Sequence, residues 1–167
     1  MSDASQFNPA AALETLLEHR VRFVLIGGLA SRLHGSPSIT GDVDVCYARD
    51  STNLERLAAA LRELRAHLRG APVEVPFILD AQTLSMADSF TFDTDAGKLD
   101  ILGTPSGTKG FEDLKANAVE MHFDLMTIRV ASINDLIRMK RAAGRPQDLK
   151  EVEILGALRE EIENREP

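Results

Sequence analysis

Phe23-Val-Leu-Ile-Gly-Gly-Leu-Ala30 and, a little further on, Thr40-Gly-Asp-Val-Asp-Val-Cys-Tyr47 are the two stretches on which the reading of this chain turns. A β-branched apolar run ends in two glycines, a short helical stretch follows, and a second strand then carries Asp42 and Asp44. Side chains along a strand alternate faces, so both carboxylates point the same way, about 7 Å apart. Beside a sheet core such a pair repels itself and loses hydration, which calls for a cation. An all-oxygen pair of this kind suits Mg²⁺, which takes one or two protein carboxylates and leaves its other positions to water and phosphate. The Gly27–Gly28 turn supplies a complementary half. A strand, two glycines and a helix start let backbone approach a phosphate closely and aim N–H groups at it.

The order of apolar strand, Gly-Gly, short helix and Asp-x-Asp strand resembles the nucleotidyltransferase superfamily that includes DNA polymerase beta. Gly27, Gly28, Asp42 and Asp44 match its signature position by position, and the resemblance runs from about Phe23 to Leu149. It implies an α/β (α+β) nucleotidyltransferase fold, a mixed β-sheet with helices packed on it plus C-terminal helices. It further implies a third carboxylate on a later strand, for which Asp100 in Lys98-Leu-Asp-Ile-Leu-Gly103 is the candidate. On this resemblance Asp42, Asp44 and Asp100 are the expected catalytic and metal-binding residues of a two-ion Mg²⁺ site, with a nucleoside triphosphate (NTP) as substrate. Gly27 and Gly28 would cradle the β/γ-phosphates and Ser31 would lend a hydroxyl. Many relatives carry Ser where this chain has Gly28, which costs one hydroxyl and keeps the backbone donors. Lys140 resembles the family's phosphate-binding lysine, and Arg145 with Asp148 resembles its Arg-x-x-Asp element. The spacing of Ser38-Ile-Thr-Gly-Asp-Val-Asp44 and the late Lys140 to Asp148 segment look most like the small AbiEii-like enzymes of toxin–antitoxin systems. The lincosamide nucleotidyltransferases of antibiotic resistance are similar in size and layout. The acceptor of the nucleoside monophosphate is then an RNA or tRNA end, a protein side chain or a small molecule, and a cognate antitoxin is a candidate partner. A catalytically silent nucleotide-binding or regulatory module of the same fold and an antibiotic-modifying nucleotidyltransferase are the competing readings.

Composition bounds these readings. A chain of 167 residues, 44% apolar and 27% charged, suits a single domain over 1–167 with a proper core, the core at about 9–130 and a C-terminal helical segment at about 131–167. No run approaches the roughly 18 apolar residues that span a bilayer. Met1-Ser-Asp-Ala-Ser-Gln6 lacks a basic stretch leading into an apolar one, so neither a signal peptide nor membrane attachment is expected, and the expected location is cytoplasmic. The lone Cys46 excludes an internal disulfide and a cysteine-based zinc site. It shares the face of Asp44 and reads as a small buried filler. A net charge of −7 argues against coating long nucleic acid, although Arg138-Met-Lys-Arg-Ala-Ala-Gly-Arg145 is a dense basic stretch within it. There is no Walker-type loop, no Gly-x-Gly-x-x-Gly after a strand and no Gly-x-Ser-x-Gly elbow.

Along the chain, helices are expected over Pro9–Arg20 (Asn8 as N-cap), Leu29–His34 (closed by Gly35), Thr52–Arg69, Phe111–Ala118, Ser132 or Asn134 to Ala143, and Gln147–Asn164, with a helical turn over Asp80–Met86. Strands are expected over Val21–Ile26, Asp42–Ala48, Ser89–Asp93, Lys98–Gly103, Val119–Phe123 and Met126–Val130. Asp93 and Asp95 read as turn residues, Thr40 as a loop-orienting hydroxyl, and His34 as a cap or packing group near the motif loop.

Overall fold

A computed structural model describes residues 6–72, 74 and 76–165. The stretch 1–5, on which the signal-peptide expectation rests, lies outside them. Among the described residues no helix is long and apolar enough to cross a membrane.

The chain opens with α1 (Pro9–Glu18), whose N-cap Asn8 accepts from the Ala11 N–H and whose Pro9 sits at the first helical position. It ends two residues before the expected Arg20. His19 is the C-cap, Arg20 takes a left-handed φ of 58°, and the Val21 N–H bonds back to the Leu16 carbonyl. That turn consumes Val21, so strand β1 is Phe23–Ile26, buried along its whole length. Helix α2 (Gly27–His34) starts at the strand's end and is closed by Gly35 at φ 117°. Strand β2 (Asp42–Tyr47) follows.

The long helix expected over Thr52–Arg69 is shorter: α3 spans Ser51–Glu63, and its N-cap is Asp50, which accepts from the Asn53 N–H at 3.1 Å. Leu64 caps it, Arg65 turns left-handed at φ 52°, and the chain leaves as a two-residue strand β3 (His67–Leu68). The leucine spacing that suggested a continuous helix is equally served by this turn, because Leu64 is buried and Leu68 packs against the same core from a strand. The remaining elements are α4 (Ala81–Ser85), β4 (Ser89–Thr94), β5 (Gly97–Leu102), α5 (Phe111–Asn117), β6 (Val119–Phe123), β7 (Met126–Val130), α6 (Ile133–Ala143, capped by Ser132) and α7 (Pro146–Arg165). Each lies within two residues of its expected bounds.

The seven strands form one mixed sheet in the order β3-β4-β5-β2-β1-β7-β6. Antiparallel hairpins β4–β5 and β6–β7 flank a centre in which β2 runs antiparallel to β1 and parallel to β5, and β1 runs parallel to β7. One face buries Val43, Val45, Leu25, Leu99, Ile101 and Phe92 against Leu57, Leu61 and Leu16 of the helices. Truncating a buried leucine of this kind to alanine costs about 2–5 kcal/mol. The mixed α/β architecture is the expected one.

Candidate active site

Strand β2 alternates between the core side chains Val43 and Val45 and the half-buried Asp42 and Asp44. Strand β5 repeats the pattern, with Leu99 and Ile101 in the core and Asp100 on the other face. The parallel register makes Asp44 and Asp100 direct neighbours, and Ile26, the last residue of β1, pairs with Asp44 from the other side. Each of Asp42, Asp44 and Asp100 offers a carboxylate oxygen within 4.8 Å of the others.

Electrostatics at this cluster are strained. Burial pushes the Asp44 carboxyl up to about 7, and the neighbouring charges of Asp100 and Asp42 push the same way, while the Lys140 ammonium opposes them. Near neutral pH the Asp44 carboxyl is therefore far more readily protonated than an ordinary carboxylate. Arg69, just past β3, supplies the other neutralising charge through a 2.9 Å ion pair with Asp100 Oδ1.

The glycines sit against these groups. Gly27 has φ +73°, and a Cβ there would overlap the Asp44 carboxylate. A Cβ on Gly28 would lie 2.8 Å from Thr40 Oγ1. Thr40 itself donates to the Asp42 carbonyl at 3.2 Å, so it does orient the loop into β2. The loop is also held from α7, where the Glu151 carboxylate accepts from Ser36 Oγ at 2.8 Å and from Ser38 Oγ at 2.7 Å. Arg32 of α2 donates to the Ser38 carbonyl at 2.8 Å.

No protein-family model matches the chain, and no curated protein is significantly similar to it in sequence. Solved structures are similar in shape. The lincomycin-bound lincosamide antibiotic adenylyltransferase LnuA is 12% identical, with a TM-score of 0.59 over 92% of this chain and 99% of the other. An inferred nucleotidyltransferase from Thermotoga maritima is 18% identical, with a TM-score of 0.53 over 99% and 100%. The antibiotic-resistance factor ANT(2'')-Ia is 13% identical, with a TM-score of 0.54 over 94% and 90%. The fold is that of the nucleotidyltransferases. At these identities the likeness is one of fold, and the chemistry rests on this chain's own residues.

Within the nucleotidyltransferase fold the other expected residues fall in different places. Lys140 and Arg145 both pair with Asp148, a carboxylate only 1% exposed: Lys140 Nζ at 3.4 Å, Arg145 Nε at 2.7 Å. The Arg145 hydrogen bond holds the Asp148 carboxyl below the usual carboxylate range, against the opposing effect of burial. Asp148 also accepts from the Arg145 N–H, so it ties the start of α7 and presents the two cations together. Ser31 is fully buried in α2, and its hydroxyl has no partner among the described residues.

His34 is half-buried and donates from Nε2 to the Ala131 carbonyl at 2.8 Å, and burial lowers its pKa, so it is a neutral brace between α2 and the β7–α6 junction. Burial pushes the Cys46 thiol up to about 12, which removes any thiolate chemistry. Asp95 is the turn residue expected, paired with Arg65 at 2.6 Å. Asp93 instead lies within β4, beside Arg69. Sequence reasoning missed Arg69 and Glu151. Arg69 stood at the end of an expected helix, where a cation is ordinary, and Glu151 stood among the charges of an exposed helix face.

Proposed function

We propose that this chain is a Mg²⁺-dependent nucleotidyltransferase that moves a nucleoside monophosphate from an NTP to an acceptor hydroxyl. The observation that carries the reading is the meeting of Asp42, Asp44 and Asp100 within 4.8 Å directly beside the Gly27 helix start. The residues fit the implied metal: the donor set is all oxygen, burial and neighbouring carboxylates raise the pKa of Asp44, and Gly27 leaves space that a side chain would fill. Asp42, Asp44 and Asp100 would hold the metal. When bound, Mg²⁺ neutralises charge on the phosphates and acidifies the attacking hydroxyl.

The chain's own residues supply the positioning. Gly27 and Gly28 bring backbone N–H groups against the β/γ-phosphates, and Lys140 offsets their charge while Asp148 keeps it in place. Thr40, Ser36 and Ser38 fix the loop that delivers Asp42. Asp44 must release its proton for the ions to enter. The acceptor oxygen then forms a bond to the α-phosphorus, pyrophosphate departs, and the hydroxyl proton leaves through Asp100 or water.

A small-molecule acceptor is favoured over long RNA by the net charge of −7 and by the pairing of Lys140 and Arg145, from the main basic stretch, with Asp148. Two neighbours in fold are an antibiotic adenylyltransferase and an antibiotic-resistance factor, which points the same way. Kinship with AbiEii-like toxin enzymes, with an RNA end or protein as acceptor and an antitoxin as partner, rests on the Ser38–Asp44 and Lys140–Asp148 spacings alone. Incubation with each α-labelled NTP, Mg²⁺ and pools of small hydroxyl compounds, total RNA or total protein tests the reading. Label should move to one pool and be lost in Asp42→Asn. Triphosphate binding without transfer in every pool would leave only the silent module.

A further inference from the structure

Strand β3 has two residues and lies at the edge of the sheet, yet it places one side chain against the carboxylate cluster. The Arg69 N–H bonds to the Thr91 carbonyl at 3.0 Å, continuing the β3–β4 ladder by one rung. Its guanidinium then crosses β4, giving Nη2 to the Phe92 carbonyl and to Asp100 Oδ1, both at 2.9 Å, and Nε more loosely to Asp93 Oδ1 at 3.4 Å. The side chains of Arg69 and Asp100 are 26% and 18% exposed, so this pair is shielded, unlike a surface ion pair of small effect. Asp42 and Asp44 have no such partner among the described ion pairs.

We propose that Arg69 is a positioning residue of the carboxylate centre: by holding Oδ1 of Asp100, it leaves Asp100 a single oxygen to offer to a divalent cation. This rests on the reading of the three carboxylates as a metal site. A free carboxylate beside a divalent ion can bind through one oxygen or two, and it can swing between two ions. A guanidinium on one oxygen removes the two-oxygen mode and fixes the plane of the group. Its positive charge also weakens cation binding. Arg69 therefore gives up some metal affinity in exchange for geometry, and the two effects have opposite signs.

That opposition separates positioning from support of the sheet edge. Mn²⁺ serves as the probe, its binding read by calorimetry and electron spin resonance, with kcat measured on the transfer assay in parallel. R69Q should bind Mn²⁺ roughly three- to tenfold more tightly, since one positive charge near the ion is gone, while kcat falls about 10–100-fold, as for other supports of metal ligands. R69K restores a charge that can reach Asp100 and should bring both quantities back toward the parental values. Asp93→Asn removes the looser 3.4 Å guanidinium contact and keeps the 2.9 Å bond to Asp100, so both quantities should change far less than in R69Q. Parental kcat in R69Q overturns the proposal. So does weaker Mn²⁺ binding in R69Q, R69K no better than R69Q, or loss of kcat in Asp93→Asn equal to that in R69Q. If R69Q does not fold, R69K and Asp93→Asn decide between the same two roles. A parental chain that binds no Mn²⁺ at millimolar concentration instead overturns the metal reading itself.

Discussion

Asp44 and Asp100 are register partners on the parallel strands β2 and β5, and the two carboxylates confront each other with Arg69 and Lys140 to offset them among the described residues. The Asp44 carboxyl, raised from 3.8 to about 7, carries the cost of that arrangement. Its protonated form is favoured in the folded chain and its charged form disfavoured, so between about pH 4 and pH 7 the folded state binds more protons than the unfolded one. Stability without metal should fall as pH rises through that window and level off above it. Asp44→Asn should remove the decline and stabilise the protein by on the order of 2 kcal/mol at pH 8, while abolishing transfer. Thermal melts against pH for the two proteins check this.

The same proton links metal binding to pH. Mn²⁺ or Mg²⁺ must displace it, so affinity should rise with pH up to about 7 and flatten beyond, with proton uptake by the buffer during binding. Calorimetry in two buffers of different ionisation enthalpy measures the number of protons released, expected near one below pH 7. In Asp44→Asn that release should vanish.

Gly27 tests the turn. Its φ of +73° and the overlap of any Cβ with Asp44 mean that Gly27→Ala must strain the backbone and push the carboxylate aside. A loss of about 1–3 kcal/mol in stability is expected, with transfer reduced more than tenfold, as judged by melting and activity together. Gly41, with open space at its Cβ, is the control, and Gly41→Ala should be mild on both measures.

For Lys140→Ala the apparent KM for the triphosphate should rise far more than the KM for the acceptor, because a single ammonium offsets phosphate charge without shaping the acceptor site. The same change frees Asp148 to bind Arg145 alone, so stability should shift little. Initial rates over a grid of both substrates separate the two constants.

Glu151→Gln weakens the charge-assisted bonds from Ser36 and Ser38 and should loosen the loop that leads to Asp42. Activity should fall several-fold with the melting temperature nearly unchanged. Hydrogen exchange of the 36–41 amides, faster in the variant, checks the cause.

The centre of the fold was legible because it is written locally. Alternation of Val43 and Val45 with Asp42 and Asp44, the glycine pair and the cap Asn8 each specify their own geometry. Asp100 was expected from the resemblance, which calls for a third carboxylate on a later strand, and its apolar neighbours Leu99 and Ile101 suit that place. The C-terminal end of α3 was not legible, since Leu61, Leu64 and Leu68 satisfy a helical stripe whether or not the chain turns at Arg65. With that turn went Arg69, whose partner lies across β4, and the same limit hid the clasp of Glu151 on Ser36 and Ser38.

The sheet order has a consequence for how the protein is made. Strand β1 lies between β2 and β7, and its pairing with β7 joins Leu25 to Val130. During synthesis the amino-terminal portion has its carboxylates and its glycine turn early, while one edge of β1 stays open until β7 leaves the ribosome. Lys140, which offsets Asp44, comes later still. Contacts so distant along the chain form slowly. A nascent chain stalled before Val130 should therefore expose an apolar strand edge and an unrelieved acidic cluster, and should depend on chaperones until its last helices emerge.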